Sequence, residues 1–458
     1  MPEPIRYYST NGRVEKVTLR EALLQGQAGD KGLFMPDRLP LIAREDLERL
    51  AQAAYPEVAF AVLRPFTQGL MTDARLKALC EDAYTYDVPL EPVPVDGERL
   101  YVMRLDRGPT ASFKDFAARM MARWMGEILA QDDKELVILT ATSGDTGSAV
   151  AHAYYGVPRV TVVVLFPIAE VSVRQRKQMT TLGGNVITIA IDGKFDDCQA
   201  MVKRAFADPD LASLRLSSAN SINIGRLLPQ SVYYVYAYTR LAKKGETIVF
   251  SVPSGNFGDM MGAVLAMRMG LPISRIVVAT NANDEVPRFL EKGRYEKIVP
   301  SRVCISNAMN VGHPSNLARL VDVYGGQMDE TGTMSRVPDM EAMRRDLWAV
   351  SISDEETRAT IRRAWSQYRL LLEPHGAVGW AGLERFRAAH PEMQGRLMVS
   401  VETAHPAKFP EEIESLLGIE PEVPPALQGL EQKEEHYERM TTAYEPFRDM
   451  LRRRFGGK

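Results

Sequence analysis

A lysine at the start of a predicted helix is the residue of this sequence best placed for covalent chemistry. Gly108 and Pro109 predict a turn, after which Thr110 or Ser112 can cap the first backbone donors of a helix. Lys114 then lies near the positive end of that helix, where the helix dipole and partial burial both lower the pKa of an amine. A partly neutral amine is what Schiff-base chemistry requires. The alternative is an ordinary lysine that reaches into solvent.

Two short loops could bind anions. Residues 142–147 (Thr-Ser-Gly-Asp-Thr-Gly) and 254–259 (Ser-Gly-Asn-Phe-Gly-Asp) each follow an apolar run and precede a predicted helix. Hydroxyl groups and free backbone N–H groups in such loops can bind a carboxylate or a phosphate, and glycine lets the backbone approach closely. Each motif alone is also typical of a solvent-exposed loop.

An arginine and a threonine add polar groups to two further segments. Arg226 ends a stretch that begins at Asn220 and precedes a predicted helix near Pro229. Its guanidinium could bind a second phosphate through two hydrogen bonds, or it could pair with a neighbouring acid. Thr403 follows an apolar run at residues 396–401, at the carboxyl end of a predicted strand. Ligands of open α/β sheets gather at that edge, so we expect these segments to meet there.

The elements that must position these residues predict an α/β fold with a mainly parallel sheet. Short apolar runs alternate with segments of helical length, which is typical of layered α/β proteins. The predicted strands lie at residues 136–139, 160–166, 186–191, 247–252, 275–279 and 396–401. The predicted helices between them lie at residues 147–155, 174–182, 196–207 and 259–269.

The two ends of the chain differ from its middle. The first ninety or so residues carry helical patterns, such as residues 44–54 and 72–83, and end in a proline-bearing stretch at 88–94. We interpret that stretch as a domain boundary. Beyond residue 421 the sequence is strongly polar, and residues 432–455 predict a terminal helix that docks at the surface.

Composition excludes several function classes. The 458 residues include 56 basic and 59 acidic side chains, for a net charge of -3, so a nucleic-acid-binding protein is not expected. Three cysteines and six histidines are scattered, which favours neither a disulfide framework nor a metal site. The amino-terminal residues lack the pattern of a secretory signal, and no apolar run has the length of a membrane span. We therefore expect a cytoplasmic protein without a membrane partner.

Together these motifs resemble the threonine synthase family, in the longer class found in enteric bacteria and fungi. The resemblance runs nearly end to end, and it implies an α/β enzyme of fold type II that uses pyridoxal 5′-phosphate. It further implies the conversion of O-phospho-L-homoserine and water to L-threonine and phosphate. The stretches that carry it are residues 7–10, 21–26, 32–36, 108–118, 142–147, 191–199, 220–230, 255–259, 307–316 and 403–409.

The resemblance also implies roles for individual residues. Lys114 is expected to bond the cofactor and to act as the base, and Thr403 to approach the pyridine nitrogen. The loop with Gly255, Asn256, Phe257, Gly258 and Asp259 is expected to bind the cofactor phosphate. The substrate is expected to contact Thr142, Ser143, Thr146, Asn220 and Arg226, with Arg226 on its phosphate. The implied domains are an N-terminal domain at 1–95, a large domain at 96–138 and 246–458, and a small domain at 139–245.

One position departs from the pattern of the wider fold. Many fold type II enzymes place an asparagine against the cofactor's phenolic oxygen, whereas this chain has Asp145 there. A carboxylate and a phenolate repel each other unless they share a proton. Thr403, in turn, cannot stabilise a protonated pyridine nitrogen as an aspartate does, so we expect Thr403→Asp to change the rate, the product ratio or the absorbance.

Two alternatives share these motifs. A related phospholyase eliminates phosphate and releases a 2-oxo acid, so that 2-oxobutanoate instead of threonine would distinguish it. A catalytically silent relative would bind a phosphorylated metabolite as a sensor. That alternative predicts a protein without the visible absorbance of a lysine-bound cofactor, whose ligand affinity does not change in Lys114→Ala.

Overall fold

Two mainly parallel sheets, each covered by helices, form the frame of the computed structural model, which describes residues 3–132 and 135–456. The strands are β1 (Tyr7–Ser9), β2 (Phe34–Pro36), β3 (Leu90–Val93), β4 (Arg99–Arg104), β5 (Leu136–Ala141), β6 (Val160–Pro167), β7 (Val186–Ile191), β8 (Leu216–Ser218), β9 (Ile248–Pro253), β10 (Ile273–Thr280), β11 (Gln327–Met328), β12 (Met334–Arg336), β13 (Leu347–Ser351), β14 (Leu397–Glu402) and β15 (Glu438–Met440). The helices are α1 (Leu19–Gln25), α2 (Arg44–Arg49), α3 (Tyr55–Leu63), α4 (Asp73–Ala83), α5 (Lys114–Ala130), α6 (Asp145–Tyr154), α7 (Val173–Thr180), α8 (Phe195–Ala207), α9 (Ser231–Leu241), α10 (Gly258–Arg268), α11 (Glu285–Lys292), α12 (Leu317–Val323), α13 (Met340–Asp346), α14 (Asp354–Tyr368), α15 (Pro374–Ala389), α16 (Pro410–Leu417) and α17 (Tyr444–Phe455).

The larger sheet has six strands in the order β13-β10-β9-β14-β4-β3. Only its edge strand β3 runs antiparallel to its neighbour β4. Strands β9 and β14 are buried along their whole length, because α15 packs on one face and α10 lies near the other. Burial on both faces explains why these strands have continuous apolar sequences instead of an alternating pattern.

The smaller sheet has five parallel strands in the order β15-β7-β6-β5-β8. Its edge strand β15 comes from the carboxyl-terminal part of the chain and pairs with β7, with Arg439 opposite Ala190. The prediction of one helix over residues 432–455 was therefore wrong, since the helix there covers only Tyr444–Phe455. Phe447 and Leu451 of α17 are fully buried in the same apolar cluster as Met201 of α8.

The residues before β3 form a mainly helical layer with the short antiparallel pair β1 and β2. An aromatic cluster joins this layer to α5 and α9, and Tyr55 of α3 lies 5.3 Å from Phe116 between ring centroids. Phe116 in turn lies 5.5 Å from Tyr233. The division of the chain into three domains stays a prediction, and β15 and α17 lie against the smaller sheet instead of the larger one.

All six predicted strands lie in the two sheets, with ends shifted by a few residues. Strands β4 and β13 were not predicted, because their sequences (Arg-Leu-Tyr-Val-Met-Arg and Leu-Trp-Ala-Val-Ser) are short or end in charged residues. Within residues 3–132 and 135–456, no helix has both the length and the apolar character that crossing a membrane requires.

Candidate active site between the two sheets

A cavity opens where the carboxyl ends of β5, β9 and β14 approach one another. Parallel strands place the loops that follow them at the same edge, which is where ligands bind in open α/β sheets. The cavity wall contains every residue predicted for the site: Lys114, Thr142, Ser143, Asp145, Thr146, Asn220, Arg226, Gly255, Asn256, Phe257, Gly258, Asp259 and Thr403.

The turn before α5 is held by the segment that follows β14. The Phe113 N–H donates to the Thr403 carbonyl at 2.9 Å. The expected caps were wrong: the backbone N–H and the hydroxyl of Thr110 instead donate to the Asp115 carboxylate, at 2.8 and 2.7 Å, and the Ser112 hydroxyl has no partner among the described residues. A Cβ on Gly108 would lie only 2.3 Å from that carboxylate, so the turn requires glycine there. These contacts fix the direction in which Lys114 leaves the helix.

Lys114 is the first residue of α5 and is half-buried at the cavity wall. Removal from water lowers the pKa of its amine, the nearby Asp145 carboxylate acts to raise it, and the cations Lys408 and Arg226 lower it further. The net direction is downward, as the sequence predicted. A larger share of Lys114 is therefore neutral and able to react as a nucleophile or a base.

The loop between β5 and α6 is organised by one hydroxyl. The Thr142 hydroxyl accepts hydrogen bonds from the N–H groups of Gly144 and Gly147, at 2.9 and 2.8 Å. Gly144 has φ 131°, a conformation that disfavours any side chain. No acceptor for the N–H groups of Ser143, Asp145 or Thr146 is present in the described part of the chain. Free donors at a helix start form a cradle for an anion.

Asp145 has a buried partner that sequence reasoning missed. Its Oδ1 lies 2.6 Å from Lys408 Nζ and accepts a hydrogen bond from Gln175 Nε2 at 3.0 Å. Burial acts to raise the pKa of Asp145, but the charges of Lys408 and then Lys114 outweigh it and hold the pKa below its usual range. The carboxylate is thus ionised and already paired.

The loop between β9 and α10 offers a second set of backbone donors. Phe257 has φ 63°, the left-handed conformation, and α10 begins at the next residue. Between residues 255 and 259, no backbone N–H group finds an acceptor in the described structure. The Asn256 side chain is used within the protein, donating to Ser221 Oγ and accepting from the Ser315 N–H, each at 2.7 Å. The loop can therefore bind a phosphate through its backbone.

Asp259 is held by two tyrosines. The hydroxyls of Tyr233 and Tyr234 donate to its Oδ1, at 2.6 and 2.5 Å. Burial raises the pKa of Asp259 to about 6, against the opposing effect of these two hydrogen bonds. The side chain thus anchors the start of α10, and the backbone of the residue faces the cradle.

Arg226 is a buried cation without an acid. Only 3 % of it is exposed, its Nη1 donates to the Ala219 carbonyl at 2.6 Å, and its Nε has no partner among the described residues. No ion pair of Arg226 occurs within that part of the chain. Burial lowers its pKa to about 10, so the guanidinium is still charged at neutral pH. The alternative of an arginine paired with a neighbouring acid does not hold here, and the cavity contains an unneutralised positive charge.

Thr403 is backed by a buried carboxylate that the sequence did not reveal. Its hydroxyl lies 3.5 Å from Glu373 Oε1, and Glu373 Oε2 lies 2.5 Å from His375 Nδ1. The His375 Nε2 accepts the Ala308 N–H at 3.1 Å, which assigns the proton of the ring to Nδ1. Glu373 also caps α15, and no local motif indicated that this cap would reach Thr403.

This neighbour makes Thr403→Asp a demanding substitution. A carboxylate at position 403 would face Glu373, and this buried like charge would raise the pKa of the new carboxyl group. We expect the variant to lose about 1–3 kcal/mol of its free energy of unfolding at pH 8. A raised folded-state pKa makes this loss largest at high pH and smaller near pH 5, and urea unfolding at both pH values measures it.

The uncharged variant Thr403→Asn is the matched control, and we expect its stability to depend less on pH than that of Thr403→Asp. Equal stability of the two variants at pH 8 would contradict the proximity of Glu373. With cofactor and substrate added, the same pair tests the expected change in rate, product ratio or absorbance.

Comparison with known proteins gives a consistent assignment. The chain matches the family models described as "Threonine synthase N terminus" over residues 6–84, "Pyridoxal-phosphate dependent enzyme" over residues 85–402 and "Threonine synthase, C-terminal" over residues 376–450. It is 39% identical over 424 residues to a threonine synthase of Haemophilus influenzae, covering 92% of this chain and 93% of that protein. A threonine synthase of Saccharomyces cerevisiae is 33% identical over 457 residues, with 90% of this chain and 89% of the yeast protein covered.

A solved structure extends the likeness to the whole fold. The crystal structure of a PLP-bound threonine synthase from Brucella melitensis superposes with a TM-score of 0.89 at 36% identity. The superposition covers 98% of this chain and 99% of that one. The fold type II architecture predicted from the sequence is thereby confirmed. On these matches, and with a lysine and two anion cradles around one cavity, this chain belongs to the threonine synthase family of pyridoxal-phosphate-dependent enzymes.

Proposed function

We propose that this chain acts on O-phospho-L-homoserine and water to form L-threonine and phosphate, with pyridoxal 5′-phosphate bound at the cavity. The residues present fit that cofactor. A half-buried lysine with a lowered pKa lies opposite a loop of unpaired backbone donors at the start of α10. A phosphate binds well at such a helix start, and a neutral amine reacts with an aldehyde.

Four contacts would hold the cofactor. Lys114 would bond it, and the backbone N–H groups of residues 255–259 would bind its phosphate. Asp145 would lie against its phenolic oxygen, and Thr403 against its pyridine nitrogen. When bound, the cofactor draws electrons from the bonds at the substrate's Cα and so lowers the energy needed to remove a proton there.

Lys114 would move the protons. With cofactor and substrate bound, the Nζ of Lys114 would take the proton from the substrate's Cα, for which the amine must be neutral. The lowered pKa of Lys114 supports this role, since less of the amine is blocked by a proton at neutral pH.

Arg226 would select for a phosphorylated substrate. Among the described residues, the buried guanidinium of Arg226 has no carboxylate partner, and burying an unpaired charge destabilises the protein. The phosphate of the substrate is an anion that would pair with this charge. The free N–H groups of Ser143 and Thr146, the Thr142 loop and the Asn220 amide line the same cavity and would orient the substrate's carboxylate and phosphate.

Product identification tests the proposal. We expect purified protein, supplied with pyridoxal 5′-phosphate and O-phospho-L-homoserine, to release L-threonine and phosphate in equal amounts, measured by chromatography and a phosphate assay. Mainly 2-oxobutanoate would make the chain a phospholyase instead. Binding of the substrate without any turnover, and without visible absorbance from a bound cofactor, would favour a sensor.

A further inference from the structure

A second lysine lies directly behind the wall of the cavity. Lys408 is fully buried, and its Nζ lies 2.6 Å from Asp145 Oδ1 and 2.9 Å from the Thr110 carbonyl. It follows the strand β14, whereas Asp145 opens α6 of the other sheet. The pair therefore joins the two sheets beside the reactive Lys114.

The side-chain contacts of Asp145 all fall on one of its two carboxylate oxygens among the described residues. Lys408 and Gln175 both bind Oδ1, which leaves Oδ2 without a partner among the described residues. Asp145 lines the cavity, whereas Lys408 lies behind it. Lys408 therefore acts on the cavity from behind its wall, through the carboxylate that it holds and through its own charge, which lowers the pKa of Lys114.

Stability alone is a weak reason for such a pair. Burying an ammonium ion and a carboxylate removes both from water, and apolar replacements of similar volume are often at least as stable. An unpaired Asp145, by contrast, would still interact with the charge of Lys114 and would favour the protonated form of the Lys114 amine. The pair thus has a consequence for reactivity that an apolar pair would not have.

We propose that Lys408 is a positioning residue that neutralises Asp145, so that an ionised carboxylate can lie beside the cofactor while Lys114 keeps a neutral amine. This inference rests on the proposed function, because it takes Lys114 as the residue that captures the cofactor. The salt bridge takes the place of the neutral asparagine that many enzymes of this fold have at the position of Asp145, and it does so without a proton shared with the cofactor.

Other charged groups also face the two lysines, and their charges contribute to the pKa of Lys114 in every variant. Asp145 and Glu373 favour a proton on Lys114, whereas Lys408 and Arg226 oppose it. Asp259 at the start of α10 and Asp115 on α5 also face these lysines, as does His405 in the segment after β14. His375 acts on Asp145. A substitution at Lys408 leaves all of these side chains in place, although the charge of Lys408 also acts on Asp115 and His405.

The rate at which Lys114 captures the cofactor reports its protonation. Its Nζ bonds the aldehyde carbon of pyridoxal 5′-phosphate with loss of one water molecule, and borohydride makes the bond permanent. Cofactor-stripped full-length protein is mixed with pyridoxal 5′-phosphate at a series of pH values, quenched with borohydride, and analysed by intact mass and peptide mapping at Lys114. The midpoint of the rate against pH gives the apparent pKa of the amine.

We expect Lys408→Gln, which keeps a hydrogen-bond donor but removes the charge, to move this midpoint upward by about one pH unit or more. Asp145→Asn alone is expected to move it downward, since Lys408 then faces Lys114 unpaired. The double variant Asp145→Asn, Lys408→Gln is expected to return the midpoint to within about 0.3 units of the unsubstituted protein. Lys177→Gln is the matched control, because within the described residues the side chain of that lysine on α7 donates only to the carbonyls of Glu431 and Lys433.

An unchanged midpoint in Lys408→Gln overturns the role of Lys408, whatever product the enzyme forms. If Lys408→Gln does not fold, the double variant decides, and a midpoint that stays shifted when both charges are absent overturns the role as well. The expected shifts together with 2-oxobutanoate as the product would overturn the proposed function and leave the role of Lys408 intact.

Discussion

Replacement of Lys114 by alanine is expected to lower the rate of threonine formation by about 10⁴-fold or more, the upper range for the loss of a positioned base. On the proposed role of Lys114, the variant would lose both the covalent bond to the cofactor and the amine that moves the Cα proton. Steady-state assays measure the rate, and borohydride reduction followed by intact mass analysis measures the covalent bond. We expect no reduced adduct at position 114.

The controls separate chemistry from folding. Lys114→Arg keeps a charge at the start of α5 but offers no neutral amine, so we expect it to be as inactive as the alanine variant. Lys177→Ala changes a lysine away from the cavity and is expected to leave the rate unchanged. An alanine variant at position 114 that still forms threonine at more than about one hundredth of the original rate would contradict the assignment of Lys114 as the base.

Arg226→Ala is expected to weaken the use of O-phospho-L-homoserine by about 2–4 kcal/mol, or roughly 30- to 900-fold in kcat/KM. The reason is that Arg226 has no acidic partner among the described residues, so on the proposed function the phosphate of the substrate would pair with its charge. Inhibition by inorganic phosphate should weaken in the same variant. The free energy of unfolding, measured in urea, is expected to change by less than about 1 kcal/mol, since no ion pair is broken.

Arg204→Ala is a matched control, because that arginine pairs with Glu445 at the surface, away from the cavity. We expect it to affect neither kcat/KM nor phosphate inhibition. Unchanged kinetics in Arg226→Ala would place Arg226 outside the substrate site. A large loss of stability with normal phosphate inhibition would instead make its contact with the Ala219 carbonyl its main role.

The sequence predicted the part of the site that is built from local motifs. Turn and helix signals involve only a few neighbouring residues, so they can be recognised in the sequence. They identified Lys114 at the start of α5, the hydroxyl-rich loop of Thr142 and Arg226. Apolar runs in the sequence predicted the strands of the two sheets, since strands buried on both faces have continuous apolar sequences.

The partners of these residues could not be predicted in this way. Lys408 and Asp145 form one ion pair although 263 positions separate them in the chain. Glu373 reaches Thr403 from the start of α15, and the Thr110 hydroxyl, predicted to cap α5, instead donates to the Asp115 carboxylate. Such contacts follow from the packing of whole elements, which no local pattern records.

The hydrogen bond between Lys408 and the Thr110 carbonyl spans 298 positions of the chain, and β15, still later, completes the smaller sheet. Contacts of such high sequence separation form late, because the loop that they close must first be ordered. During synthesis, the amino-terminal layer and α5 leave the ribosome well before the segments that finish the cavity. Lys114 is therefore synthesised early, but the segments that surround it in the cavity fold into place only when nearly the whole chain has been made. We expect an incomplete chain to lack an assembled site for the cofactor.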